Sequence, residues 1–108
     1  MTAIVNDLLA TASTSQLTAL TSFSDNNERL RWYYTPTDHG GLPLSSMRPI
    51  QQKHAHRLLA EGLSESGYNT TALIIGWDNV LDRLEGFIRD WGRERGRDPG
   101  LYYWRIFG

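Results

Sequence analysis

The sequence predicts an α+β fold, mainly helical, with three to four helices and two short strands that pair. Three observations carry that reading. Apolar residues recur at spacings of three and four through most of the chain. Two aromatic-rich stretches, around Trp32 and around Trp104, break that period and read as strands. The length of 108 residues, with 40% hydrophobic and 21% charged side chains, suits a single globular domain spanning 1–108.

The first helix is expected over Ala3 to Ala12, where Ile4, Val5, Leu8 and Leu9 share a face. Ser13 with Gln16 three positions later fits a capping box, so a second short helix should run to about Ser22 and bury Leu17 and Leu20. Asp25, Asn26 and Asn27 carry turn chemistry. In "RLRWYYTP", Leu30, Trp32 and Tyr34 alternate with Arg29, Arg31 and Tyr33, which predicts a half-buried strand over Arg29 to Thr35, ended by Pro36. "TDHGGLP" reads as a loop.

Ser45 or Ser46 can cap the next helix, which carries Pro49 near its first turn and continues to about Leu63. Its inner stripe is Met47, Ile50, His54, Leu58 and Leu59, with Ala55 and Leu63 beside them. The longest helix is expected from Asn69 or Thr70 to Ile88. Leu73, Trp77, Val80, Leu81, Leu84, Phe87 and Ile88 form an unbroken stripe, widened by Ile74 and Ile75, so this helix should be central. After an Arg/Gly connector, Leu101 to Phe107 reads as a terminal strand paired with Arg29 to Thr35. Tyr102, Trp104 and Ile106 should face one way, with Leu101, Tyr103 and Phe107 facing the other. A strand apolar on both faces wants cover on both sides, which predicts an incomplete part of a larger domain and self-association through that strand.

Composition narrows the chemistry. A net charge of −1 provides no global field toward nucleic acid or an anionic membrane, so neither is expected as a partner. The absence of cysteine excludes disulfides, thiolate metal sites and a cysteine nucleophile. The opening "MTAIVNDLLATAS" has no basic stretch and Asp7 interrupts it, unlike a signal peptide. No run approaches the ~20 apolar residues of a membrane span. Localisation stays unassigned, cytoplasmic by default.

Several side chains could carry function. Glu28, Arg29, Trp32 and Tyr34 form the best ligand-binding candidate: an arginine for an anion or peptide, walled by aromatics. The plainer alternative is an Arg–Glu bridge on the wet face of a strand. His54 and His56 lie two apart and point about 200° apart on a helix, which precludes shared metal ligation, so no metal and no cofactor is expected. His39 beside Asp38 fits a turn better than a general base. Arg89, Arg93, Arg95 and Arg97 interleave with Asp90, Glu94 and Asp98, as in a solvated connector. Asp78 and Asp82 are expected on an exposed polar face. No catalytic residue is assigned.

Four segments in order carry a resemblance. Glu28, Arg29, Trp32 and Pro36 form E-R-x-x-W-x-x-x-P. "GLPLSSMRPIQQKHAHRLL" follows, then "GLSESGYNTTALI" with Leu63, Ser64, Gly67 and Tyr68. Last comes "GRDPGLYYWRIFG" with Arg97, Asp98, Pro99, Tyr102 or Tyr103, Phe107 and Gly108. Residues 14–108 resemble the N-terminal part of the domain-of-unknown-function 3500 family, leaving the helix in 1–13 outside. The resemblance implies a longer domain that continues into a tryptophan-rich, paired-histidine segment. The resulting expectation is a globular domain without independent catalysis. Alternatives are the helical scaffold of a metal-dependent enzyme whose paired histidines lie elsewhere, and a binding module using the Arg/Trp/Tyr surface.

Overall fold

A computed structural model of the chain describes residues 1–23, 25–31, 35, 37–87 and 96–108. Four helices carry most of it: α1 (Thr2–Thr11), α2 (Thr14–Leu20), α3 (Pro49–Gly62) and α4 (Glu65–Leu84). Four two-residue strands complete it: β1 (Thr21–Ser22), β2 (Leu42–Pro43), β3 (Tyr103–Trp104) and β4 (Ile106–Phe107). Short 3₁₀ turns lie at Asn27–Leu30, Leu44–Ser46 and Pro99–Leu101. The fold is α+β and mainly helical, as the sequence predicts. No helix among the described residues is long and apolar enough to cross a membrane.

The first two helices form where local signals put them. Leu8 of α1 and Leu20 of α2 are fully buried. Ser13 closes a complete capping box: its Oγ accepts from the Gln16 amide at 3.2 Å, and Gln16 Oε1 accepts from the Ser13 amide at 2.9 Å. The core gathers Leu8, Leu20, Leu42, Leu44, Met47 and Ala55, with Leu9, Leu58, Tyr102, Trp104 and Ile106 packed against it. Tyr102, Trp104 and Ile106 therefore share one face, as the alternation predicts, and that face turns to the core.

A buried polar knot joins the three N-terminal segments. Gln51 of α3 is wholly buried. Its amide nitrogen donates to the Thr11 carbonyl at 2.9 Å and to Gln16 Oε1 at 2.8 Å. Its Oε1 accepts from Gln16 Nε2 at 3.1 Å and from the Arg48 amide at 2.8 Å. Every hydrogen-bonding position of the side chain is used, which makes its burial affordable.

Three expectations need correction. Asn27–Leu30 is a 3₁₀ turn, not the start of a strand, because the Asn26 side chain accepts from the Glu28 amide at 2.9 Å and seeds the turn. Leu30 is exposed. Trp32, Tyr33, Tyr34 and Pro36 of that segment lie outside the described residues. The terminal segment pairs elsewhere: β3 runs antiparallel to β2 with Leu42 opposite Trp104, and β4 runs parallel to β1 with Thr21 opposite Ile106. Further bonds run from the Leu44 amide to the Tyr102 carbonyl and from the Gly108 amide to the Ser22 carbonyl. Leu101 ends a 3₁₀ turn, and all seven residues from Leu101 to Phe107 are half-buried.

The second correction concerns α3, which starts at Pro49; Ser45 and Ser46 belong to the preceding 3₁₀ turn. Its inward face centres on Gln51 and Ala55, so Ile50 and Leu63 are exposed.

The third concerns α4. It starts one turn earlier than expected, with Ser64 Oγ accepting from the Gly67 amide at 3.1 Å. Its buried residues are Ile75, Asp78 and Asp82, facing the Pro99–Leu101 turn and α3. Its apolar stripe points outward: Leu73, Ile74, Trp77, Val80, Leu81 and Leu84 are all exposed, Trp77 by 64% and Leu84 by 78%, as is Phe87, which lies beyond the helix end at Leu84 with a left-handed φ of 56°. The reason is electrostatic. Arg97 forms a two-pronged bridge to Glu85, Nε to Oε2 at 2.6 Å and Nη2 to Oε1 at 3.1 Å. Its amide donates to Asp82 Oδ1 at 3.3 Å, and Asp78 Oδ1 lies 3.9 Å from Nη1. The carboxylate face of α4 is thereby tied to the chain after Gly96. Hydrogen bonding to Glu85 raises the Arg97 pKa above its ordinary value, so this cation stays charged at any working pH.

Candidate functional site

Two arginines converge on one carboxylate where four parts of the chain meet. Glu28, in the 3₁₀ turn, has its Oε2 3.0 Å from Arg31 Nε and 3.4 Å from Arg105 Nη1. Arg105 lies between β3 and β4, and its Nε donates to Ser22 Oγ of β1 at 3.1 Å. Its guanidinium sits 5.4 Å from the Phe107 ring centre, a cation–π distance. Arg31 Nη2 donates to the His39 carbonyl at 2.8 Å, and His39 Nε2 is 2.8 Å from the Thr35 carbonyl. The His39 ring meets Tyr103 edge-on at 6.4 Å.

The Gly40–Gly41 pair makes the convergence possible. Gly40 has φ of 75°, and a Cβ there would stand 3.0 Å from Arg105 Nη1 and 3.2 Å from Arg31 Nη2. Gly41 has φ of 100°, and a Cβ there would lie 2.6 Å from the Trp104 carbonyl oxygen. Only glycine allows the backbone to turn left-handed this close to β3. The Asp38 carboxylate caps the turn by accepting from the Gly40 amide at 2.8 Å. "DHGG" is thus a turn, and it also forms one wall of the arginine cluster.

The candidates read from the sequence are divided by this arrangement. Glu28 is at its centre, bridged to an arginine as the plainer alternative anticipated, although on a 3₁₀ turn. Arg29 is exposed on the same turn. Trp32 and Tyr34 lie outside the described residues. Arg105 was legible only as a lone charge in an apolar strand; its role depends on pairing that no local pattern encodes. The paired glycines were the available signal, since two in a row between apolar segments mark a strained turn.

The remaining candidates lie apart. His54 and His56 are both on α3. His56 Nδ1 is 3.3 Å from Tyr68 Oη, and its ring lies 6.3 Å from that of Trp104. His54 Nδ1 is buried without a hydrogen-bond partner. Asp78 and Asp82, expected on an exposed face, are only 8% and 5% exposed because Arg97 draws them inward. Arg97 is therefore an anchor and not part of a solvated connector; Arg89, Arg93 and Arg95 lie outside the described residues. Among the described residues, no group of three or more histidine, aspartate or glutamate side chains is placed to hold a metal ion.

No curated protein and no solved structure matches the chain. A family model does, over residues 1–108, and so includes α1 as well as the segments that carry the resemblance. The chain belongs to the family described as protein of unknown function, DUF3500.

Proposed function

We propose that the chain is a binding module without catalysis of its own, and that the Arg31–Arg105 cluster recognises a carboxylate-bearing ligand. The convergence of two guanidinium groups on Glu28 beside the Gly40–Gly41 turn carries this reading. Arg31 and Arg105 each present a forked donor to Glu28, with Arg29 exposed on the same turn. Phe107 supplies aromatic surface next to Arg105, and Tyr103 next to His39. The internal Glu28 orients the guanidinium forks, so a second carboxylate meets donors already held in place.

Succinate is a suitable probe, followed by the arginine side-chain NMR signals at low ionic strength. We expect saturable shifts with Kd of about 1 mM or tighter, roughly −4 kcal/mol. Arg105→Lys, which keeps the charge and loses the fork, should weaken binding several-fold, and 0.5 M salt should abolish it. Shifts that rise linearly with succinate and are unchanged in Arg105→Lys and Arg31→Gln would refute the reading.

A further inference from the structure

We propose that the exposed face of α4 is a homodimer interface, in which two copies of this chain pair their α4 helices antiparallel about a two-fold axis near Val80. This does not depend on the arginine cluster. Leu73, Trp77, Val80 and Leu84 succeed one another along α4 at spacings of four, three and four. That is the d-a-d-a pattern of a helix seam. At 100° per residue the seam lies roughly opposite the face of Ile75, Asp78 and Asp82, so it cannot turn inward without releasing the Arg97 anchor.

Size supports a second copy. The exposed parts of Leu73, Ile74, Trp77, Val80, Leu81, Leu84 and Phe87 together present on the order of 800 Å². That exceeds the patch a monomer usually leaves bare and matches one partner's share of a standard stable interface. Self-complementarity supports it too. With the axis at Val80, Leu84 of one copy stands level with Gly76 of the other. Gly76 has open space around the position a Cβ would take. It lines an open depression of about 650 Å³ with Asn69, Ala72, Leu73 and Trp77, wide enough for a leucine side chain. Large against small at the same level lets two helices approach closely. No charged residue interrupts the seam: Asp78 and Asp82 are turned inward, so no like charges meet across the axis. Antiparallel pairing also opposes the two helix dipoles favourably.

The test is sedimentation equilibrium of the full chain across a concentration series, beside two further measurements. We expect twice the 12.3 kDa monomer mass at tens of micromolar, with reversible dissociation on dilution. Trp77→Glu and Leu84→Glu should each give a monomer whose helical circular dichroism is unchanged. Because the chain has no cysteine, single introduced cysteines report the axis directly. Val80→Cys should oxidise to a covalent dimer, whereas Leu73→Cys, about two helical turns from the axis, should not. A chain monomeric at several hundred micromolar overturns the proposal and leaves the face for a different polypeptide. Association that survives both glutamate variants overturns it in favour of the terminal strand, and efficient Leu73→Cys self-linkage overturns the antiparallel arrangement.

Discussion

Helices α1 and α4 carry the same kind of sequence signal and meet opposite fates. Each has an apolar stripe at helical spacing. In α1 the stripe faces α3, and Leu8 is fully buried. In α4 the stripe faces outward, and the buried positions include two carboxylates. Periodicity reports which face of a helix is apolar; it does not report which face the rest of the chain covers. The polar residues beneath each helix decide the difference. Under α1 and α2, a saturated amide knot around Gln51 closes the space between three helices. Under α4, Arg97 holds the acidic face inward.

Four substitutions, read by chemical denaturation at low protein concentration, break or sharpen this contrast. Leu8→Ala should cost about 3–5 kcal/mol, the cost of emptying a sealed leucine site; a loss below ~1 kcal/mol would mean α1 is not core. Gln51→Leu should cost roughly 2–3 kcal/mol, since it strands Gln16 and the Thr11 carbonyl in a buried setting. A neutral outcome there would show that the knot is dispensable and that apolar packing alone holds α1 to α3. Arg97→Gln should cost on the order of 1–3 kcal/mol, less than a fully buried pair because the guanidinium is 24% exposed. If α4 is held inside out by this anchor, the variant should also slow tryptophan quenching by acrylamide as Trp77 finds partial cover. Trp77→Ala should change monomer stability by no more than ~0.5 kcal/mol. A loss of several kcal/mol would restore the central role that the stripe alone predicts.

The arginine cluster shows the same limit at a smaller scale. Glu28 and Arg31 are three apart, so their bridge was within reach of local reading. Arg105 joins them from the far end of the chain because β4 pairs with β1 and brings the terminal segment beside Ser22. Substituting Gly41→Ala would test that closure: a left-handed residue pressed against the Trp104 carbonyl should lose roughly 1–3 kcal/mol, and an unperturbed variant would mean that β2 does not pair with β3.

What the sequence alone determined were features set within a few residues: the α1 and α2 helices, the Ser13–Gln16 capping box, the shared face of Tyr102, Trp104 and Ile106, and the helical character of the Leu73–Leu84 stretch. Each rests on steric period or on a hydrogen bond between near neighbours, and such interactions have the same sign in any surroundings. The tertiary structure decided which strand the terminal segment joins, that Gln51 is buried, and that Asp78 and Asp82 face inward while Trp77 faces out. These depend on partners tens of residues away. A buried polar group is favourable only when its distant partner arrives to satisfy it, so its place is decided when the chain closes.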